Sequence, residues 1–404
     1  MSDLSQEPRE GINMKIPEAT CRFIAEHRND DVKALALQSS RHPDVDMLLA
    51  LTQIEAWQHA TEKLPRWAAT EGIIYPRRIS MEQCSSQPTA LYKASLMGGA
   101  AFADLTGGFG IDCSYISLRF DKGYYIERND ELCAIATHNF TLLGLNHIEV
   151  INNNSEQAVN NFEGLDWIYL DPARRDGAGK KVVALDDCEP NIVDLRPTLL
   201  EKAERIMVKC SPMLDITAAC RQLRTVSDIH IVSVNNECKE LLFILTAEEC
   251  PAPTVHCVNI KEDEKEEYTF PLGEEEIATY AADAEKYLYE PNASIQKAGC
   301  PASLCAAYGI KKLHRNSNLY TSAALAENFP GRTFEVAAVS GFSKNEIKEC
   351  IGGLKKANIT VRNFPESVQQ LRKRLKLGDG GDVYLFATTL ADARKVLIRC
   401  GKLK

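Results

Sequence analysis

The chain has 404 residues, 45% of them hydrophobic and 25% charged, with a formal net charge of −9. That length accommodates two or three domains, each with its own core. No apolar run approaches the roughly 20 residues of a membrane span, and the polar start MSDLSQEPRE carries no apolar signal region, so a cytoplasmic protein is expected.

Residues 14–75 lack strand-like alternation, and VDMLLALTQIEAWQHATEKL (45–64), bracketed by Pro43 and Pro65, has apolar residues at helical spacing. A helical N-terminal domain is expected over 1–80. Over 81–250 strands alternate with helices: AAFADL, KGYYIE, HIEVIN, LDWIYLD, ERIMVK, DIHIVSV and ELLFILT are the strands. Alternation of this kind implies parallel strands with right-handed crossovers. The turn NNECK before the seventh strand is too short for a crossover, so that strand must run antiparallel.

Residues 251–329 read as a connecting segment and the start of a C-terminal unit, with the acidic stretch KEDEKEEYTFPLGEEE (261–276) expected to be solvated. Residues 330–404 have βαβαβ spacing and form a small α+β domain. That last stretch holds 15 Lys/Arg against 7 Asp/Glu, a net charge of +8, leaving −17 on the rest. A basic domain on an acidic body suits either a polyanionic partner or a solvated helix face. The fourteen cysteines are scattered, with no CxxC pair and no His cluster, which argues against disulfides or metal and predicts reduced, mostly buried thiols.

The stretch Asp104-Leu-Thr-Gly-Gly-Phe-Gly-Ile-Asp112 places a glycine-rich turn after the first strand. It lacks the Gly-Lys-Ser/Thr end of a triphosphate loop, leaving NAD or S-adenosylmethionine as its ligand. Glu127, 19 residues past Gly108 at the end of the second strand, suits the ribose hydroxyls of either. Asp104 favours S-adenosylmethionine, because a carboxylate there attracts a cationic amino-acid end and repels a pyrophosphate. DPAR (171–174) ends the fourth strand at the carboxyl edge, where open α/β sheets place their sites.

Residues 100–246 resemble a class I S-adenosylmethionine-dependent methyltransferase, a class in which an antiparallel seventh strand is typical. DLTGGFGID with IERN is similar to two motifs of the ribosomal RNA guanine-N2 methyltransferases. The order of segments, with RRISMEQCSSQPTALYKA before the first strand, resembles the bacterial methyltransferases with a C-terminal THUMP-like domain. The implied fold is α/β: a Rossmann-like seven-stranded methyltransferase sheet with a helical N-terminal domain and a small α+β C-terminal domain. By the resemblance, the backbone from Thr106 to Gly110 wraps the methionine part of S-adenosylmethionine, with Gly108 and Gly110 allowing close approach. Asp104 faces the amino group, Glu127 holds the ribose, and Asn154 accepts from the adenine amine or serves as a plain turn residue.

Asp171 and Pro172 stand at the implied reaction centre, where relatives carry Asp/Asn-Pro-Pro-aromatic. The carboxylate and the proline carbonyl align a target nitrogen, and the aromatic ring stacks on a flipped base. Ala173 and Arg174 replace the last two residues, so the ring is missing and Arg174, with Arg175, suits phosphate instead. The missing ring leaves open a non-catalytic, S-adenosylmethionine-binding RNA module. Cys210, in MVKCSPML, resembles the nucleophile of uracil-C5 RNA methyltransferases, a second alternative. QCSSQPTALYK (83–93) enters a helix capped by Thr89 or a nearby Ser, and either brings Gln83 or Ser86 near the cofactor or merely connects domains. The function implied is methylation of RNA, ribosomal or transfer, at a base nitrogen, by direct displacement without metal. Arg372, Lys373, Arg374 and Lys376 form the densest positive cluster, and the first three are the candidate RNA-binding residues of the C-terminal domain.

Overall fold

The computed structural model describes residues 16–174, 185, 188–262, 264–273 and 277–403. It divides into two compact units: the chain up to Ser227 together with Leu242–Cys250, and Asp228–Leu241 together with the chain from Pro251.

In the first unit, helices Glu18–His27, Val32–Ala36 and Met47–Lys63 bury Phe23, Leu35, Ala50 and Ile54 against one another. Asp31 and Asp46 cap the second and third by accepting from backbone N–H groups of the first turn. The helices share one unit with the parallel sheet, and side-chain amides fasten the connection. Asn139 pairs with both backbone groups of Ile74, and Gln53 does the same for Tyr75.

The strands are β1 (Gly99–Asp104), β2 (Phe120–Glu127), β3 (Ile148–Asn152), β4 (Leu165–Leu170), the short β5 (Ala173–Arg174) and β6 (Cys188–Glu189), then β7 (Ala203–Cys210), β8 (Val226–Val234) and β9 (Glu237–Leu245). The order in the main sheet is β8-β9-β7-β4-β1-β2-β3, to which β8 and β9 contribute their ends within this unit. β1 pairs in parallel with both β2 and β4, and Asp104 lies opposite Tyr125 on one side and Tyr169 on the other. The carboxyl ends of the three strands therefore meet at one edge. Most of β4 is buried, as a parallel strand covered on both faces requires.

In the second unit, Asn235 and Asn236, both at positive φ (49° and 64°), make the two-residue turn of the β8–β9 hairpin, which sets β9 antiparallel. The expected seven strands are thus present, and β9 turns back on β8 as the short turn requires. Two more follow here: β10 (Thr254–Ile260), parallel to β8, and β11 (Lys265–Pro271), antiparallel to β10. β11 lies in the acidic stretch read as solvated, and the structure corrects that reading. Glu266, Tyr268 and Phe270 alternate inward along it, a period of two hidden by charge. Glu266 is tolerated there because Asn259, Asn292 and Lys261 donate to its carboxylate at 2.9, 3.0 and 2.6 Å.

The unit also holds β12 (Tyr287–Pro291), β13 (Lys311–His314), β14 (Ser317–Ser322), β15 (Gly331–Ser340), β16 (Asn358–Arg362), β17 (Val383–Thr389) and β18 (Lys395–Lys402), ordered β13-β14-β12-β15-β18-β17-β16. The predicted βαβαβ order is found as β15, helix Lys344–Ile351, β16, helix Val368–Leu375 and β17. Three strands from the connecting segment and a terminal one widen its sheet. All fourteen cysteines are free, and seven of them are buried.

Candidate functional site

The glycine turn is built by steric exclusion. Gly108 (φ +55°) and Gly110 (φ +85°) hold left-handed conformations. A Cβ on Gly107 would stand 2.2 Å from the Tyr125 ring, so the backbone is pressed against β2. The Tyr125 hydroxyl donates to the Gly108 carbonyl at 2.5 Å, and the Gly107 N–H donates to the Ile126 carbonyl at 2.8 Å. Phe109, at the tip, packs on Trp67 at 4.9 Å between ring centroids. The helical N-terminus thereby supports the turn.

The predicted cofactor and reaction-centre residues Asp104, Thr106, Gly108, Glu127 and Asp171 converge on this edge. Glu127 accepts from the Gly108 N–H through Oε2 and from the Asn129 N–H through Oε1, both at 2.9 Å. A carboxylate has about four lone-pair sites, so each oxygen keeps one for a ligand. Asp104 is 1% exposed and accepts from the Thr106 N–H at 3.0 Å. Burial raises its proton affinity well above the usual carboxylate range, the Thr106 N–H opposes this, and Asp112, Asp171 and Glu127 add to it. Thr106 Oγ1 accepts from the Asp171 N–H at 2.6 Å, tying the glycine turn to the end of β4.

Asp171 is half exposed, and its Oδ2 accepts from Lys209 Nζ at 2.5 Å. Pro172 follows at the mouth of the β5–β6 pair. Asn154 caps the turn Ser155–Ala158, its Oδ1 accepting from the Gln157 N–H at 2.8 Å, which matches the plain turn role and leaves one lone pair of that oxygen. The side chain of Arg174, and Arg175 entirely, lie outside the described residues. Cys210 is buried, and burial pushes its thiol up, away from the thiolate a nucleophile requires.

A buried charge network missed in the sequence lies behind these residues. Lys93, 0% exposed in helix Gln87–Leu96, stands 3.2 Å from Asp112 Oδ1. Asp112 Oδ2 accepts from the Ser85 and Tyr169 hydroxyls, both at 2.7 Å, and lies 3.9 Å from Lys209 Nζ. Burial alone would raise the Asp112 carboxyl, but Lys93, Lys209 and the two hydroxyls together hold it below the usual range. The segment QCSSQPTALYK therefore reaches the site through Ser85 and Lys93, whereas Ser86 turns to Thr89 at 3.2 Å. Two signals were available: a lysine among apolar helix residues, and a lysine ending an apolar strand beside Cys210.

On the helix Val368–Leu375 the structure engages two of the three basic residues in the fold. Arg372, 24% exposed, donates to the Ala357 and Gly378 carbonyls and to Asp379 at 3.2, 2.7 and 2.6 Å. Arg374 pairs with Glu366 at 2.5 Å and lies over the Phe342 ring. Lys373 and Lys376 are exposed and have no side-chain partner among the described residues.

Residues 331–402 match the family described as THUMP domain-like, and residues 287–330 match a ferredoxin-like domain family. No curated protein matches the sequence. Among solved structures, a candidate methyltransferase from Porphyromonas gingivalis W83 is similar at 35% identity and TM-score 0.87, over 96% of this chain and 98% of that one. An rRNA methylase from Streptococcus thermophilus matches at 15% identity and TM-score 0.30, over 39% of this chain and 93% of its own. TrmK of M. capricolum, solved with S-adenosylhomocysteine, matches at 12% and 0.32, over 40% and 68%.

The chain is an S-adenosylmethionine-dependent methyltransferase of class I. It belongs to the family of the Porphyromonas gingivalis protein, class I methyltransferases with a C-terminal THUMP-like domain. Among the described residues no helix is long and apolar enough to cross a membrane.

Proposed function

We propose that the enzyme methylates a base nitrogen of ribosomal or transfer RNA in the cytoplasm, with Asp171 and Pro172 at the reaction centre. The observation that carries the reading is the junction at Thr106. Its hydroxyl holds the Asp171 N–H at 2.6 Å, so the end of β4 and the cofactor turn form one surface. A half-exposed carboxylate stands there with one oxygen already taken by Lys209.

The residues present fit the cofactor. Asp104 is a carboxylate almost without solvent among other carboxylates, and a ligand's ammonium supplies the missing countercharge. Glu127, already oriented by two backbone N–H groups, keeps acceptor capacity for two ribose hydroxyls. Gly108 and Gly110 open the turn to a close ligand. Asn154 keeps one lone pair for the adenine amine.

Bound S-adenosylmethionine supplies a methyl group activated by its cationic sulfur. The chain's own contribution is alignment. The Pro172 carbonyl and Asp171 Oδ1 accept the N–H groups of the target amine, which points its lone pair at the methyl carbon. The proton that the nitrogen gives up on methylation would pass to Asp171 Oδ1 or to solvent, Oδ2 being held by Lys209. The basic stretch 330–404 and its THUMP-like match support RNA as the polyanion. Lys373 and Lys376, exposed and without a side-chain partner among the described residues, supply cations there, whereas Arg372 and Arg374 contact phosphate only by leaving their internal partners. The buried Cys210 thiol weighs against the pyrimidine-C5 alternative.

The test is transfer of a labelled methyl group to total RNA from cells lacking the protein, followed by nucleoside mass spectrometry. Native enzyme should label a base-methylated nucleoside, and Asp171→Ala should not. Full activity of Asp171→Ala would remove the end of β4 from the mechanism.

A further inference from the structure

We propose that Lys209 is a positioning residue for methyl transfer, acting through Asp171; the proposal rests on the role given to Asp171 above. β7 lies beside β4 with Val208 opposite Leu170, so the next residue on each strand stands at the same level of the carboxyl edge. Lys209 Nζ there meets Asp171 Oδ2 at 2.5 Å. The lysine side chain is 12% exposed and the aspartate 38% exposed. The pair thus has a buried cationic end and an open anionic end.

The buried end is fixed in turn. Lys209 lies 3.9 Å from Asp112, and Asp112 is held by Tyr169 and Ser85 at 2.7 Å and by Lys93 at 3.2 Å. Charges alternate along this path: Lys93, Asp112, Lys209, Asp171. Three are buried or nearly so, and the fourth emerges at the reaction centre. Stability alone does not account for the arrangement, since ion pairs taken out of water contribute little net stability. Direction does account for it. A half-exposed aspartate at a strand end has several rotamers open to it. With Oδ2 held by Lys209, the carboxylate keeps one orientation and presents Oδ1 alone to the substrate. One N–H of the nucleophile then has one acceptor, and the lone pair is aimed before the methyl group moves. Misplacement of about 1 Å at a reacting centre costs up to 10²-fold in rate, which sets the scale of the effect.

The experiment measures steady-state methyl transfer by native enzyme and by Lys209→Met, Lys209→Arg, Asp171→Ala and Asp171→Asn. Labelled cofactor is offered to total RNA and, separately, to total protein from cells lacking the enzyme, and rates are read on whichever accepts label. Calorimetry with S-adenosylhomocysteine and thermal melting run in parallel. Lys209→Met should lower kcat by about 10- to 100-fold while KM for the cofactor and S-adenosylhomocysteine affinity stay within about 3-fold. Lys209→Arg, which keeps a cationic donor, should recover most of the loss, and it is the variant to read if Lys209→Met does not fold. In the Asp171→Asn background, where no carboxylate remains to be steered, Lys209→Met should cost less than a further twofold. An unchanged kcat in Lys209→Met with Asp171→Ala inactive would overturn the role of Lys209 and leave that of Asp171 standing. Full activity in Asp171→Ala would overturn both. A large additional loss from Lys209→Met in Asp171→Asn would mean that Lys209 acts by another route.

Discussion

Replacing Asp112 by alanine is expected to destabilise the enzyme severely. The carboxylate is almost fully buried and faces two ammonium groups at 3.2 and 3.9 Å, one of them on Lys93 at 0% exposure. Removing one partner of a buried pair leaves the opposite charge in a low-dielectric setting, which costs about 3–5 kcal/mol. The Tyr169 and Ser85 hydroxyls lose their acceptor as well, a loss shared with the first and not added to it. Against a typical total stability of about 5–15 kcal/mol, the variant should show a clearly lower urea midpoint at pH 7. The sign with pH follows from the lowered Asp112 carboxyl, set by burial opposed by Lys93 and Lys209. Its contribution is complete above the unfolded value of about 3.9 and is lost as pH falls through the lower folded value, so the gap between native and variant protein should close only below about pH 4. Because the penalty belongs to the stranded ammonium, adding Lys93→Met to Asp112→Ala should recover part of the loss. Urea denaturation followed by circular dichroism measures all three proteins. A loss under about 1 kcal/mol at pH 7, or a double variant weaker than the single one, would refute the assignment.

Asp104 keeps its proton to higher pH than an exposed aspartate, because burial disfavours its charge; a cationic group placed opposite must displace that proton. Calorimetry should therefore show S-adenosylhomocysteine binding more tightly at pH 7 than at pH 5, with Asp104→Asn removing the difference; equal affinities in native enzyme would exclude Asp104 as the ammonium partner. Cys210→Ser should retain methyl transfer within a few-fold, since the thiol is buried and its ionisation suppressed; complete inactivity with intact folding would revive a cysteine nucleophile. Charge reversal of Lys373 and Lys376 should weaken RNA binding and flatten its salt dependence without lowering the melting temperature, whereas Arg372→Ala should cost about 1–3 kcal/mol of stability through its lost internal hydrogen bonds. Filter binding at two salt concentrations beside thermal melting separates the two effects, and unchanged affinity in the lysine variant would assign those lysines to a merely solvated face.

The parallel sheet was legible because its signal is local: continuous apolar runs, glycines at the turn, and a connection of fixed length before the last strand. The NNECK turn alone required β9 to reverse, and the positive φ angles of Asn235 and Asn236 show how it does so. β11 was illegible for the converse reason. Its inward Glu266 is tolerated only because Asn259, Lys261 and Asn292 converge on it, and all three come from other strands or loops. Periodicity marks a strand by what it buries, and a partly buried carboxylate satisfied by groups outside the strand weakens that mark.

The same limit governed the site. The residues proposed to touch a ligand through backbone or strand-end position, Asp104, Gly108, Glu127 and Asp171, carry a spacing that can be counted along the chain. The residues that hold them in place do not. Lys93 and Asp112 are 19 positions apart, and Asp171 and Lys209 are 38 apart, yet each pair is closer than 3.5 Å. Their coupling depends on the order β7-β4-β1, which places the carboxyl ends of three strands side by side. Charge made them easy to misassign as well: a lysine beside an apolar strand end or within a helix is ordinarily a solvated residue. Here the acids Asp104, Asp112, Glu127 and Asp171 crowd one edge, which suits the cationic ligand proposed above. Such an edge needs cations of its own in the ligand's absence, and the buried lysines behind the acids are the part of the fold that supplies them.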